Sequence, residues 1–99
     1  MIYEYAYLYV TPGQEEEFEQ ALLAARPVLL SAEGCRSVDL HRDAESPGCY
    51  LLRVGWETLE HHLVDFFKSE QAVRFGQAID HFFARPAELR HFEERPVGG

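Results

Sequence analysis

Five histidines, at positions 41, 61, 62, 81 and 91, and one carboxylate on an otherwise apolar face are the groups in this chain best suited to moving protons. Imidazole titrates close to neutral pH, which makes it the usual acid–base group of a protein working there. His62 stands four residues before Phe66, so a helix would put both on one face. His61 lies one position round and is expected in solvent. His41 falls on the polar face of a strand-like run, and a one-residue change of register decides whether it faces a pocket or an interface. His81 lies off the Ile79/Phe82 stripe and is expected at the surface, while His91 has no assigned face. Glu4 interrupts the alternating set Ile2, Ala6, Leu8 and Val10. It belongs either to a frayed strand start or to a cleft that raises its pKa. His61 and Asp65 are spaced i, i+4, but no second pair is placed to join them, so no metal is expected. There is no Ser/His/Asp order, phosphate-binding glycine loop, CxxC or basic aromatic patch. Hydrolase, nucleotide, thiol-redox and RNA-binding chemistries therefore lack their residues.

Composition narrows the setting. A chain of 99 residues with 46% hydrophobic and 26% charged residues is one ordinary globular domain. Nine basic against 17 acidic side chains give a net charge of −8, which disfavours nucleic acid and anionic membrane as partners. No apolar run approaches the ~20 residues that span a bilayer. Met1-Ile2-Tyr3-Glu4 resembles no signal peptide, so the cytoplasm is the expected compartment. Cys35 and Cys49 start consecutive strands of a hairpin and so lie at opposite ends, ~23 Å apart at strand rise. Two free thiols are expected.

The elements that must position these groups follow from periodicity. Residues 2–10 alternate as a strand, with Tyr3, Tyr5, Tyr7 and Tyr9 on the face opposite Glu4. Thr11-Pro12-Gly13-Gln14 reads as a capping box opening a helix, and Glu15, Glu16 and Glu17 suit its dipole. Phe18, Ala21, Leu22, Ala25 and Leu29 form its apolar stripe, and Pro27 is expected to kink or end it. A second strand covers 34–43, with Val38 and Leu40 opposed to Ser37, Asp39 and His41. Ser46-Pro47-Gly48 suits a type II turn. A third strand covers 49–57, with Tyr50, Leu52, Val54 and Trp56 on one face and Arg53 and Glu57 on the other. Thr58 caps a short helix to about Phe67, and Ser69 caps another to Phe83 or Ala84, which Pro86 stops. The last strand is expected over 87–94, and residues 96–99 form a tail to a single domain of residues 1–95.

This order, β-α-β-β-α-β, is the α+β ferredoxin-like arrangement: a four-stranded antiparallel sheet with helices on one face. The tyrosine row would then lie on the bare face. That surface needs a cover, and a second copy packed sheet to sheet would supply it.

Four segments carry a family likeness: the opening strand into Thr11-Pro12-Gly13; Glu33-Gly34-Cys35; Trp56-Glu57-Thr58; and His62-Leu63-Val64-Asp65-Phe66-Phe67-Lys68-Ser69. The stretch from Phe82-Phe83-Ala84-Arg85-Pro86 to His91-Phe92-Glu93 adds to it. With these segments in this order, the chain resembles the antibiotic biosynthesis monooxygenase family of dimeric α+β barrels. The resemblance implies a pocket between sheet and helices, with Ala6, Leu52, Trp56 and Phe66 around it by motif position. It also implies oxygenation of phenolic or quinol-type aromatics without metal, flavin or haem. Haem degraders of this fold have an Asn on strand one and a His ten residues after the Trp. Here Ala6 and Phe66 stand at those positions, and the chain contains no Asn. The pocket Asn of the best-studied aromatic oxygenase falls at Leu52.

The expected function is thus a cofactor-independent monooxygenase acting on a small aromatic. His62 is the expected base and Trp56 an aromatic wall. Glu4, Ala6, Tyr50, Leu52, Phe66 and Phe82 are the expected substrate contacts. The alternatives are an isomerase or lyase on the same scaffold, using His62 or Glu4 as base, and a non-catalytic small-molecule-binding or stress-response module.

Overall fold

The computed structural model describes residues 1–99. Strand β1 (Ile2–Val10) leads to helix α1 (Glu15–Leu30), then β2 (Cys35–Arg42) and β3 (Cys49–Trp56). A π-helical turn (His61–Asp65) and a 3-10 turn (Phe66–Lys68) precede α2 (Glu70–Ile79). A 3-10 turn (Asp80–Phe82) then delivers β4 (Phe83–Glu93). The four strands make one antiparallel sheet in the order β2-β3-β1-β4. This is the ferredoxin-like arrangement, with the helices on one face and the sheet not closed. No helix is long and apolar enough to cross a membrane.

Alternation in β1 sends Glu4, Ala6, Leu8 and Val10 inward, where each is buried, and leaves the four tyrosines half-buried on the open face. In β3 the inward set is Tyr50, Leu52, Val54 and Trp56. The stripe of α1 closes over them with Phe18, Leu22, Ala25 and Leu29, and α2 adds Phe75 and Ile79. One extra residue, Arg36, bulges β2 between the pairs Cys35↔Trp56 and Ser37↔Gly55. The bulge lets Cys35 and Val38 both face the core. The register also settles His41. It lies opposite Leu51 on the open face with Asp39 and Ser37. Both thiols are free, Cys35 opposite Trp56 and Cys49 opposite Tyr9.

Element boundaries differ from the sequence reading in four places: α2 ends at Ile79 rather than at Phe83 or Ala84, which already belong to β4 after the 3-10 turn, and three more differences have local reasons. Gly13 adopts φ +89°, so no helix can run through it. Thr11 instead accepts the Gln14 N–H in a turn at 3.1 Å, the Glu15 carboxylate accepts the Gly13 N–H at 2.8 Å, and α1 starts at Glu15. Pro27 does not end α1, which runs on to Leu30. Its ring removes only the bond to the carbonyl of Leu23, a residue 59% exposed, on a side of the helix open to water. Pro86 lies inside β4 rather than before it. β4 is an edge strand with a register slip between Tyr7↔Glu88 and Tyr9↔Arg85, where a missing N–H is tolerated. The type II turn is as expected, with Cys49 N–H donating to the Ser46 carbonyl and Gly48 at φ +83°.

The layer contact between α1 and the sheet should dominate stability. Leu22→Ala, at a fully buried site, should cost about 2–5 kcal/mol, whereas Leu23→Ala should stay within ~0.5 kcal/mol of the parent. Urea denaturation checks both, with an unchanged m-value expected.

Candidate active site

The one charged side chain on the inner face of β1 organises the end of the molecule around it. Glu4 is 7% exposed. Trp56, fully buried at the end of β3, donates its Nε1–H to Glu4 Oε1 at 3.0 Å. His62, 2% exposed, brings its Nε2 to 3.3 Å of the same oxygen and stacks on Trp56 at 5.0 Å with 16° between planes. The other ring nitrogen of His62, Nδ1, lies 2.6 Å from Nε2 of His91 on β4. His91 is partly exposed and pairs directly with Glu4 across the β1–β4 ladder. Phe66 lies 5.3 Å from Trp56, and Phe67 lies 5.0 Å from His62.

Local sequence explains how His62 gets there. Gly34, at φ +80°, seats the His61 ring so closely that a Cβ at residue 34 would come within 2.3 Å of it. Thr58 Oγ1 accepts the His61 N–H at 3.1 Å, as a capping residue should. The turn then widens: Phe66 N–H bonds to the His61 carbonyl, five residues back. A π-helical turn of this kind puts i+5 as well as i+4 beside residue i, so both Phe66 and Phe67 flank His62.

Burial sets the electrostatics. Loss of water pushes the Glu4 carboxyl up to about 7, with the Trp56 N–H pulling the other way. Burial, and then the neighbouring His91, lower His62 to about 4. Burial also lowers His91. Cys35, facing this group from β2, is raised to about 11, chiefly by burial. Near neutral pH the site therefore holds two uncharged imidazoles and a carboxyl poised between its acid and its anion. Such a group can take or return a proton at little cost. No three His, Cys, Asp or Glu side chains converge on a point that would hold a metal.

Glu4, Trp56, His62 and Phe66 thus share one cluster. Ala6 and Leu52, paired with each other in the ladder, are buried farther along the same sheet face. Tyr50 and Phe82 are elsewhere. Both surround Phe18, at 5.0 and 5.9 Å, and the Tyr50 hydroxyl donates to Glu19 Oε2 at 2.7 Å. His61 is held against Gly34, and His81 is exposed beside Phe82. Sequence reasoning missed His91 and Phe67. Alternation from Leu89 would have turned His91 inward, but Phe67 needed the π turn. The cluster is packed shut. A recess of about 330 Å³, bordered by Ala32, Glu33, Phe66 and Ser69, reaches the outer side of Phe66. The largest groove, about 560 Å³, runs between α1 and β2, away from these groups.

Residues 1–84 match the model of the antibiotic biosynthesis monooxygenase family. The chain is 32% identical to the uncharacterized protein YczJ of Bacillus subtilis (strain 168), over 95% of this chain and 99% of that one. A crystal structure from Bordetella bronchiseptica that carries the family's name is 38% identical, with a TM-score of 0.92 over 96% of this chain and 97% of that one. A variant of SnoaB, a cofactor-independent oxygenase from Streptomyces nogalater, has a TM-score of 0.78 at 15% identity, over 96% of this chain and 93% of that one. At that identity the likeness is one of fold.

The buried pair makes a signed prediction about pH. Glu4 titrates higher in the folded chain, at about 7, than its ordinary 4.5. Its contribution is therefore fully present below pH ~4.5 and is lost as pH rises through 7, by about 3 kcal/mol. His62 titrates lower in the folded chain, at about 4 against 6.5, so its contribution is present above 6.5 and is lost as pH falls through 4. The two offset one another between about pH 4.5 and 6.5. Glu4→Gln should leave only the His62 slope. From pH 4.5 to 7 the variant should therefore gain about 3 kcal/mol relative to the parent. Urea denaturation at stepped pH reads this out.

Proposed function

The chain belongs to the antibiotic biosynthesis monooxygenase family, and from that membership we propose that it oxygenates a small phenolic or quinol-type aromatic with molecular oxygen and no cofactor. The observation that carries the reading is the Glu4 carboxyl, raised to about 7 and held against Trp56 and His62. Such chemistry needs a base, because an aromatic anion passes an electron to oxygen far more readily than the neutral form does. His62, lowered to about 4 and so neutral until the pH falls that far, is a weak base in place. Glu4 matches the working pH better. Both Trp56 and His62 approach its Oε1, which leaves Oε2 for the substrate proton.

For a phenol carrying an oxidisable CH2, as in an anthrone, the sequence of steps balances. Glu4 takes a proton from the substrate. The anion gives one electron to O2, and the resulting radical and superoxide combine at carbon. The peroxide takes back a proton, then loses water to leave a carbonyl. One oxygen atom enters the product and the other leaves as water. Trp56, Phe66 and Phe67 supply an apolar wall that excludes water, and a swing of Phe66 into the recess on its outer side would open the way to Glu4.

Purified protein treated with chelator should consume O2 with some member of a panel of hydroquinones and anthrones, one O2 per product. Glu4→Gln should lower kcat by about 10²–10⁴-fold. Uptake no faster than the uncatalysed rate across the panel would overturn the oxygenase reading. Turnover under anaerobic conditions would favour the isomerase or lyase alternative.

We also propose that two copies pair through their open sheet faces. Four half-buried tyrosines, Leu51 and the 55% exposed Phe92 cover that face. Arg53 lies over the Tyr3 ring there, and its buried Nε has no hydrogen-bond partner. Each aromatic ring buries ~150–250 Å² when covered. At ~25 cal/mol per Å² several rings can exceed an association cost of ~4–15 kcal/mol. Sedimentation equilibrium at micromolar concentration should report twice the 11.4 kDa chain mass, and Tyr5→Glu should shift it toward one. A parent that sediments at the single-chain mass would overturn the pairing.

A further inference from the structure

Three titratable groups from three different elements stand in line: Glu4 on β1, His62 on the π turn and His91 on β4. The central ring uses both of its nitrogens, Nε2 toward Glu4 Oε1 at 3.3 Å and Nδ1 toward His91 Nε2 at 2.6 Å. The inner two groups are buried, and the third is partly open to solvent. A purely structural role would not call for this arrangement, since apolar side chains of similar volume fill such a space without desolvating three polar groups. We propose that Glu4, His62 and His91 form a proton relay, with His91 as its solvent end, that empties and refills the Glu4 carboxyl while the aromatic cover stays closed. The catalytic use of this relay rests on the oxygenase reading, but its existence does not.

Neutral imidazole has one donor and one acceptor nitrogen, so the state of Glu4 dictates the tautomers. With Glu4 protonated, its O–H donates to His62 Nε2, and His62 Nδ1–H donates to His91 Nε2. Loss of the proton shifts every hydrogen one place. Glu4 hands its proton to His62 Nε2, His62 Nδ1 hands one to His91 Nε2, and His91 Nδ1 releases one to water. His62 Nε2–H then donates to the carboxylate, and His91 Nε2–H donates to His62 Nδ1. One proton leaves, and His62 passes it on without resting as a cation. In turnover the relay first runs outward to leave Glu4 as the carboxylate; Glu4 then holds the substrate proton on Oε2 and returns it to the peroxide, while His62 Nε2–H stays on Oε1. The other polar groups facing Glu4 are the Trp56 N–H, which only donates, and the Cys35 thiol, which burial keeps protonated.

Histidine ¹⁵N NMR on the free protein tests the relay without any substrate. His62 should change from the Nδ1–H to the Nε2–H tautomer as pH rises through about 7, with no imidazolium above pH 5. Glu4→Gln should abolish the change. His91→Gln can still hydrogen-bond His62 but cannot pass a proton on. It should keep the fold and slow proton exchange at Glu4 at least 10-fold, with exogenous imidazole restoring the rate. A His62 tautomer that is constant from pH 5 to 9, or a His91→Gln protein with parental exchange, would overturn the relay. If the tautomer change is found but no aromatic consumes O2, the relay stands and the oxygenase reading fails. If O2 is consumed but the His62 tautomer is constant, or exchange at Glu4 is parental in His91→Gln, the oxygenase stands and the relay fails.

Discussion

A carboxyl on the inner face of a central strand is the constraint on which this end of the molecule depends. Water is excluded from position 4, so the carboxyl must find polar partners inside the protein or remain protonated. Here it does some of each. Trp56 supplies a donor from the neighbouring strand, and His62 approaches the same oxygen from the turn that follows it. Everything else nearby serves to bring those two rings in: the end of β3, the cap at Thr58, the glycine that accepts His61, and the π turn that rotates His62 inward. Removing the carboxyl would leave the Trp56 donor unpaired in a dry site, which is itself unfavourable.

The two ends of the layer are chemically unlike. Around Phe18 the space is filled by Tyr50, Phe82 and Phe83, and the one hydroxyl reaches out to Glu19 at the rim. That end contributes apolar burial. The end around Trp56 gives up some of that burial to hold titratable groups, and so carries the capacity for proton chemistry. Tyr50 and Phe82, expected among the substrate contacts, lie against Phe18 and belong to the first end. A shared face says nothing about distance along the strand. The open face of the sheet is separate again. Its aromatic centre is bordered by charged contacts, Tyr7 to Asp43 and Tyr9 to Glu88, with Arg85 over the Tyr9 ring.

The elements and their faces were legible from local pattern. Two-residue alternation placed Glu4 inward with Ala6 and Leu8, and the tyrosines outward, because a strand's side-chain period leaves no other choice. Helical spacing picked out Phe18, Leu22 and Leu29 for the same reason. Boundaries were less legible. Pro27 and Pro86 read as breakers, yet their missing N–H groups fall on a solvent-facing helix turn and a sheet edge. Whether a lost hydrogen bond matters depends on where it would have gone, and that is a tertiary fact.

The sequence by itself determined the fold class and the strand face that carries Glu4, because both follow from periodicity and residue type, whereas the grouping of Trp56 with Phe66 was implied by the family resemblance. Tertiary structure decided the site. It chose His91 as the partner of His62 through the β1–β4 register, brought Phe67 beside that ring through a π turn, and moved the two candidate bases in opposite directions, the Glu4 carboxyl up and the His62 ring down. The reason is that a pKa is set by what surrounds a group after water has gone, and those surroundings come from strands and turns far apart in the chain.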